Sequence, residues 1–255
     1  MKKKNIAICA YGKVGKILSK FICSLDNSKD IKFVCTLSRD VHQKDISSFY
    51  SCNNIEVNSD LSVNTNLFRK KMIENKIDLV FLLWWPTIVK KDSIDLAKIG
   101  FVNLHPSMLP YNRGMHPYYW SIVEDTPAGV SIHFINSKID EGEIIYQRKI
   151  EKDITMTGQS LYNEAEREII NLFVENYENI INTDYNLKKQ NIEEGTFHLK
   201  KELDKHSHIE LEKYYKAIDL INIMRGRSFK SGPSSFFYHE GKKYNINISI
   251  VPEEK

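Results

Sequence analysis

The amino-acid sequence predicts an α/β protein: a doubly wound domain followed by a small C-terminal appendage made of a helix and a β-hairpin. Three observations carry that expectation. The chain opens on an apolar run, Asn5 to Ala10, that meets a two-glycine turn (Gly12, Gly15) and then a helical stripe. Apolar runs of strand length recur at Ile31 to Leu37, Asp78 to Leu83, Phe101 to Leu104, Gly129 to Ile135 and Glu143 to Ile150, with helical or polar segments between them. Near the end, Tyr244, Ile246, Ile248 and Ile250 alternate strictly with Asn245, Asn247 and Ser249, the period of a half-buried strand.

The elements follow in order. Val14, Ile17, Leu18, Phe21, Ile22 and Leu25 mark the first helix. The glycines before it make either a tight turn or a contact with a ligand, and G-x-x-G without an acidic residue ending the next strand is only half of a dinucleotide fingerprint. Residues 38–66 read as loops with one short strand, and Leu67 to Glu74 as a short helix. Trp84-Trp85-Pro86 lies directly beyond a strand's carboxyl end; two adjacent tryptophans cannot both face one core, so each either anchors the loop or stacks on a ligand. A helix over Asp92 to Lys98 precedes the Phe101 strand, and His116-Pro117 opens another, with Trp120, Ile122 and Val123 inward. Leu161, Ala165, Ile169, Leu172, Phe173, Tyr177 and Ile180 trace a long amphipathic helix capped by Thr157. Residues 1–185 are thereby read as the main domain and 186–255 as the appendage. The appendage holds a polar stretch, a helix over Leu211 to Met224, and a hairpin turning at Glu240-Gly241.

Composition narrows the function. The 255 residues, 42% hydrophobic and 27% charged, suit a soluble globular chain with a proper core. A net charge of +3 is too small to argue for nucleic acid, though a mildly basic chain suits an anionic small molecule such as a nucleotide. Cys9, Cys23, Cys35 and Cys52 form no C-x-x-C pair and have no matched histidine spacing, so neither zinc nor a disulfide framework is expected. No apolar run has the length of a membrane span and no signal peptide is indicated; a cytoplasmic protein with no membrane partner is expected.

The chemistry concentrates between Gly100 and Trp120. Asn103 and His105 lie two apart at the end of a strand, so their side chains leave one face, where ligands of open α/β sheets bind. Pro106 and Pro110 stiffen the exit, and Arg113-Gly114 follows as an anion contact. Downstream, A-G-V-S-I-H-F-I-N-S-K-I-D-E-G closes a loop at Asp140 and Gly142 that can return a carboxylate to the imidazole. An amide donor suits an oxyanion, and an imidazole suits proton transfer.

These two segments, N-L-H-P-S-M-L-P-x-x-R-G at Asn103 to Gly114 and G-V-S-I-H followed by Asp140-x-Gly142, resemble the formyltransferase family. The resemblance implies a Rossmann-like domain and 10-formyltetrahydrofolate as formyl donor. It implies Asn103, His105 and Asp140 as catalytic residues, and a folate pocket at Trp85, Thr87, Ile88, Val89 and the Asn136, Ser137, Lys138, Ile139 loop. The tail, G-T-F-H-x-K-K-E-L-D and I-x-x-M-R-G-R-S-F, resembles sugar N-formyltransferases, which formylate the amine of a nucleotide-linked dideoxy amino sugar for surface polysaccharide. A dTDP-linked 4-amino-4,6-dideoxyglucose is the first choice of substrate and the 3-amino isomer the second. Arg113, Tyr118, Lys200, Arg225 and Phe229 are the expected substrate contacts, with Arg227 and Lys201 as further diphosphate partners; each basic residue is otherwise solvated surface. A two-stranded hairpin is marginal alone, so it is expected to pack on the domain or to join a homodimer. The alternatives are a methionyl-tRNA or other folate-dependent formyltransferase and, resting on the Gly12/Gly15 turn, a nicotinamide-dependent oxidoreductase.

Overall fold

A computed structural model describes residues 4–26, 30–230, 232 and 234–253. Its first strand, β1 (Ile6–Ala10), is buried along its whole length, as a strand covered on both faces must be. The helix α1 (Gly12–Cys23) follows at once, burying Val14, Leu18 and Ile22. Gly15 suits this position because a Cβ would lie a tight 3.1 Å from the Leu83 carbonyl oxygen and 3.2 Å from the Ala10 carbonyl carbon. The glycine lets helix and sheet approach closely, which accounts for half of the opening signature without a ligand.

The chain continues through β2 (Ile31–Thr36), α2 (Gln43–Ser51), β3 (Glu56–Ser59), α3 (Asn66–Glu74), β4 (Leu79–Leu83), α4 (Lys91–Ile94) and β5 (Gly100–His105). After β6 (Arg113–Gly114) and α5 (Pro117–Val123) come β7 (Ala128–Phe134), β8 (Ile144–Ile150) and the 25-residue α6 (Gly158–Asn182). The seven-stranded sheet has the order β3-β2-β1-β4-β5-β7-β8. Strands β1 to β5 pair in parallel, and the order reverses direction between β1 and β4, the switch point of a doubly wound sheet. β7 breaks the pattern by running antiparallel to β5.

Two compact units result. The first comprises Met1–His105, Ser131–Tyr146 and Ile169–Gln190; the second comprises Pro106–Val130, Gln147–Glu168 and Asn191–Lys255. In the first, Phe81 of β4 is fully buried and packs edge-on against Phe173 at 5.2 Å and beside Tyr177 at 5.9 Å. The second unit contains β9 (Phe197–His198), which pairs in parallel with β6, then α7 (Lys200–His206), α8 (Ala217–Gly226) and the hairpin β10 (Ser235–His239) and β11 (Lys242–Ile246). Glu240 (φ 49°) and Gly241 (φ 74°) are both left-handed, as a two-residue turn between twisted strands requires.

Several elements depart from the sequence reading. α2 occupies a stretch expected to be loop; only Ile46 and Tyr50 face the core, too few apolar residues to show a period. α4 is shorter than Asp92 to Lys98. α7 lies in the polar stretch, with Leu203 its one buried residue. α8 begins at Ala217, not Leu211, because Leu211 and Tyr214 are exposed. β11 stops pairing at Ile246, four residues before the alternation ends. Thr157 does cap α6, its hydroxyl accepting from the Ser160 N–H at 3.2 Å.

Replacing Phe81 by alanine should cost about 3–5 kcal/mol of unfolding free energy, measured by urea denaturation, because Phe173 and Tyr177 both lose the buried ring they pack against. A loss near zero would mean that this cluster does not hold the sheet.

Candidate active site

The site begins with alternation in β5. Leu104 turns into the core, while Asn103 and His105 leave the opposite face. The antiparallel register sets Asn103 directly opposite His133 of β7, and the Asn103 Nδ2 lies 3.2 Å from the His133 Nε2. His133 Nδ1 lies 2.8 Å from the Phe134 carbonyl oxygen. A carbonyl only accepts, so Nδ1 carries the proton. His133 is fully buried, and burial pushes its imidazole down to about 4, against the pull of the Asp140 carboxylate and with the help of His105. The ring is therefore neutral, its Nε2 accepts, and the Asn103 amide must present an N–H to it. One N–H of Asn103 is thus committed, and the orientation of the amide is fixed.

Asp140 arrives on the loop after β7. It adopts φ 54°, a left-handed conformation that aspartate tolerates. At Gly142 a Cβ would lie 1.7 Å from the Phe134 carbonyl oxygen, so only glycine lets the loop cross the strand it has just left. Gln190 braces the turn, its Nε2 donating to the carbonyls of Asp140 at 2.8 Å and Gly142 at 2.7 Å. Lys188 and Ile144 exchange main-chain hydrogen bonds of 2.9 Å beside it.

The carboxylate then lies between two rings. Its Oδ2 is 3.7 Å from His105 Nδ1 and its Oδ1 is 3.7 Å from His133 Nε2. Because His133 is neutral with its lone pair already facing Asn103, the second contact is not an ion pair; His105 is the ring that the charge serves. His105 is 7% exposed, and its Nε2 has no hydrogen-bond partner among the described residues. A buried nitrogen without a partner is costly in isolation and is repaid when a ligand arrives to exchange a proton with it.

The two-glycine turn is also accounted for. The Gly12 N–H donates to Asp40 Oδ2 at 2.7 Å, and Asp40 Oδ1 accepts from the His42 N–H at 3.0 Å. An internal carboxylate therefore occupies the helix terminus where a dinucleotide phosphate would bind, which argues against the oxidoreductase alternative.

The remaining expected residues fall as follows. Trp85 and Val89 are buried in the core with Leu82 and Phe101, which makes Trp85 an anchor of its loop; Thr87 and Ile88 between them are exposed. Trp84 takes φ 61° and is half-buried. Asn136, Ser137, Lys138 and Ile139 all face outward, Asn136 accepting from the Lys138 N–H at 2.8 Å. In the second unit, Arg113 is buried, with its main chain in the β6–β9 pairing; Lys200 is exposed at the start of α7; and Tyr118 meets Phe229 with ring centroids 5.5 Å apart. Arg225 has a different task from the expected grip on a diphosphate. Its Nε donates to Asn222 Oδ1 at 2.8 Å, and its Nη1 to the carbonyls of Asp153 at 2.9 Å and Met156 at 2.8 Å, so it clamps main chain. Sequence reasoning quoted His133 within a motif but gave it no role, and it missed Gln190; for Gln190 no local pattern signals the contact.

A family model described as formyl transferase matches residues 15–176. The chain belongs to the formyl transferase family. A second model, described as an N-formyltransferase dimerization C-terminal domain, matches residues 202–252. Among curated relatives, the methionyl-tRNA formyltransferase of Ehrlichia canis is 34% identical over 102 residues, 40% of this chain and 34% of that protein. The dTDP-4-amino-4,6-dideoxyglucose formyltransferase of Mycobacterium tuberculosis (strain H37Rv) is 29% identical over 157 residues, 60% of this chain and 65% of that protein. The matches thus span between about a third and two thirds of these relatives' lengths. Among solved structures, a sugar N-formyltransferase from Shewanella sp FDAARGOS_354 shares the fold at TM-score 0.81 and 18% identity, over 98% of this chain and 99% of that one. Among the described residues, no helix is long and apolar enough to cross a membrane.

The formyl transferase geometry makes a prediction about protons. An unfolded histidine takes its proton near pH 6.5. Folded His133 resists protonation until about pH 4, so across that interval the unfolded chain holds the extra proton and stability falls as pH falls. Histidine-labelled NMR should find the His133 ring neutral and protonated at Nδ1 near pH 6. An imidazolium signature there would overturn the assigned orientation of the Asn103 amide.

Proposed function

We propose that this chain transfers a formyl group from 10-formyltetrahydrofolate to the amine of a nucleotide-linked amino-dideoxy sugar. The observation that carries the reading is the convergence of Asn103, His105 and Asp140 at the end of β5, with the unpartnered His105 Nε2 among them. That nitrogen and the second N–H of Asn103 fit the co-substrate: one is a free proton acceptor and the other a free donor, the two groups that acyl transfer to an amine requires. When bound, 10-formyltetrahydrofolate supplies an electrophilic formyl carbon on a nitrogen that can leave.

The chain's own residues do the rest. Asn103, held by His133, offers its second N–H to the formyl oxygen as negative charge gathers there. His105 takes the proton of the attacking amine at Nε2 and is placed to return it to the departing nitrogen. Asp140 fixes the His105 ring through Nδ1 and opposes the positive charge that the ring acquires. The folate is held by the loops carrying Trp85 to Val89 and Asn136 to Ile139, chiefly through main chain, since Trp85 and Val89 are committed to the core.

For the acceptor, dTDP-4-amino-4,6-dideoxyglucose is the first choice and its 3-amino isomer the second, in surface polysaccharide synthesis. The name of the mycobacterial relative and the match of the C-terminal segment to an N-formyltransferase domain support this. The modest charge of +3 favours a sugar nucleotide over tRNA. We further propose a homodimer formed through the β10–β11 hairpin. Phe237 and Tyr244 stack at 5.3 Å on the face that continues to Ile246, and Tyr244 is 42% exposed.

Incubation with 10-formyltetrahydrofolate and a panel of nucleotide amino sugars should give a formyl mass gain on one of them; no gain on any member would refute the reading. Alanine at Asn103 should lower turnover about a hundredfold or more. Alanine at His105 or Asp140 should likewise abolish most turnover, with melting temperature little changed, and near-normal rates would remove that residue from the mechanism. The double substitution Phe237→Glu, Tyr244→Glu should yield monomers in sedimentation equilibrium, whereas an unchanged profile would place the subunit contact elsewhere.

A further inference from the structure

An asparagine outside the catalytic group governs the loop at the end of β4. Asn64 lies in the turn before α3, and its side-chain amide spans two main-chain groups at the exit of the Trp85 to Val89 loop. Its Nδ2 donates to the Ile88 carbonyl at 2.8 Å, and its Oδ1 accepts from the Lys90 N–H at 2.8 Å. A carbonyl only accepts and an N–H only donates, so the amide has one orientation. These are the two groups that one residue of a neighbouring parallel strand would engage. The turn itself is secured. Arg69 donates from Nη1 to the Asn64 carbonyl at 2.9 Å and from Nη2 to Asn66 Oδ1 at 2.6 Å. The Val63 carbonyl accepts from the hydroxyl of the fully buried Ser93 at 2.7 Å, so the same turn also fastens α4.

Alternation decides which edge of the loop remains open. Ile88 and Lys90 are exposed and Val89 between them is 6% exposed, as in extended chain. In such a chain the N–H and carbonyl of one residue point to one edge and those of the next residue to the other. With Asn64 on the edge of Ile88 and Lys90, Val89 turns its own N–H and carbonyl to the opposite edge. Neither has a hydrogen-bond partner among the described residues. Covered main-chain groups left unanswered by protein call for a partner from outside. The two bonds of Asn64 are themselves exposed, where water offers equivalent ones, so they add little to global stability. Their effect is on the position of the loop.

We infer that Asn64 is a positioning residue for the reduced-folate co-substrate. By engaging the Ile88 carbonyl and the Lys90 N–H, it sets the loop so that Val89 offers the ligand an adjacent donor and acceptor. The pterin ring of a reduced folate carries an amino group, ring nitrogens and a carbonyl in alternation, which answers such a pair. Ile88, expected at the folate pocket, has its carbonyl engaged by Asn64 instead. The identity of the ligand rests on the formyl-transfer reading; the hold of Asn64 on the loop does not.

The test compares Asn64→Leu with the wild type in calorimetric titration with 5-formyltetrahydrofolate, a stable reduced folate, and in formyl-transfer kinetics. The variant should bind 5-formyltetrahydrofolate about tenfold more weakly, as expected for the loss of two neutral hydrogen bonds, with an unchanged melting temperature. KM for 10-formyltetrahydrofolate should rise by about the same factor, while KM for the nucleotide sugar and kcat at saturation stay within about twofold. Asn64→Ser, whose hydroxyl cannot reach both groups, should lie between, about threefold weaker than the wild type. Binding by Asn64→Leu within about twofold of the wild type overturns the inference and leaves formyl transfer standing. A comparable rise in both KM values, or a fall in kcat together with melting temperature, marks a structural role only and overturns it too. If Asn64→Leu does not fold, Asn64→Ser at wild-type affinity overturns it equally. A wild-type chain that binds no reduced folate removes the formyl-transfer reading itself, and this role of Asn64 with it.

Discussion

The candidate site depends on one pairing: β7 running antiparallel to β5 with Asn103 opposite His133. From that register the rest follows by successive constraint. Covered on all sides, the His133 ring loses its charge. Its proton sits on Nδ1 and points at the Phe134 carbonyl, which leaves the Nε2 lone pair facing Asn103. The amide of Asn103 then has a single satisfactory orientation. A slip of one residue in β7 would send His133 to the other face of the sheet and leave Asn103 free to rotate.

Asp140 is held by backbone means. A left-handed aspartate, a glycine with no room for a Cβ and a glutamine donating to two carbonyls shape a loop that carries one carboxylate back to the end of β5. The three reactive groups come from one strand end and one loop, so each is positioned by main chain. That suits a reaction whose attacking amine is neutral and whose charges at the reacting centre appear only during transfer, since donors fixed beforehand need not reorganise when the charge develops.

Much of this was legible in the sequence. The buried strands around β1 and β4 announce themselves as continuous apolar runs, and α1 by its stripe. Asn103 and His105 are linked by a two-residue period that needs no tertiary knowledge. Asp140 is marked by its turn, although its distance to the imidazole is not. The role of His133 was not legible, because alternation tells which face a side chain leaves but not which strand lies opposite or in which direction. α2 and α7 were missed for a plainer reason: with one or two buried residues apiece, they have no stripe to read. The two arginines of the R-G-R motif look alike in sequence, and only its hydrogen bonds show Arg225 to be a structural clamp.

Gln190 lies eight residues past the end of α6, yet it secures the carbonyls on either side of the turn that bears Asp140. The mechanical integrity of the acid loop is therefore owed to a stretch of chain carrying no reactive group, in a region where helix prediction would draw a natural boundary. A fragment trimmed at the last turn of that helix would retain every side chain assigned to formyl transfer and lose the peg that keeps one of them in position.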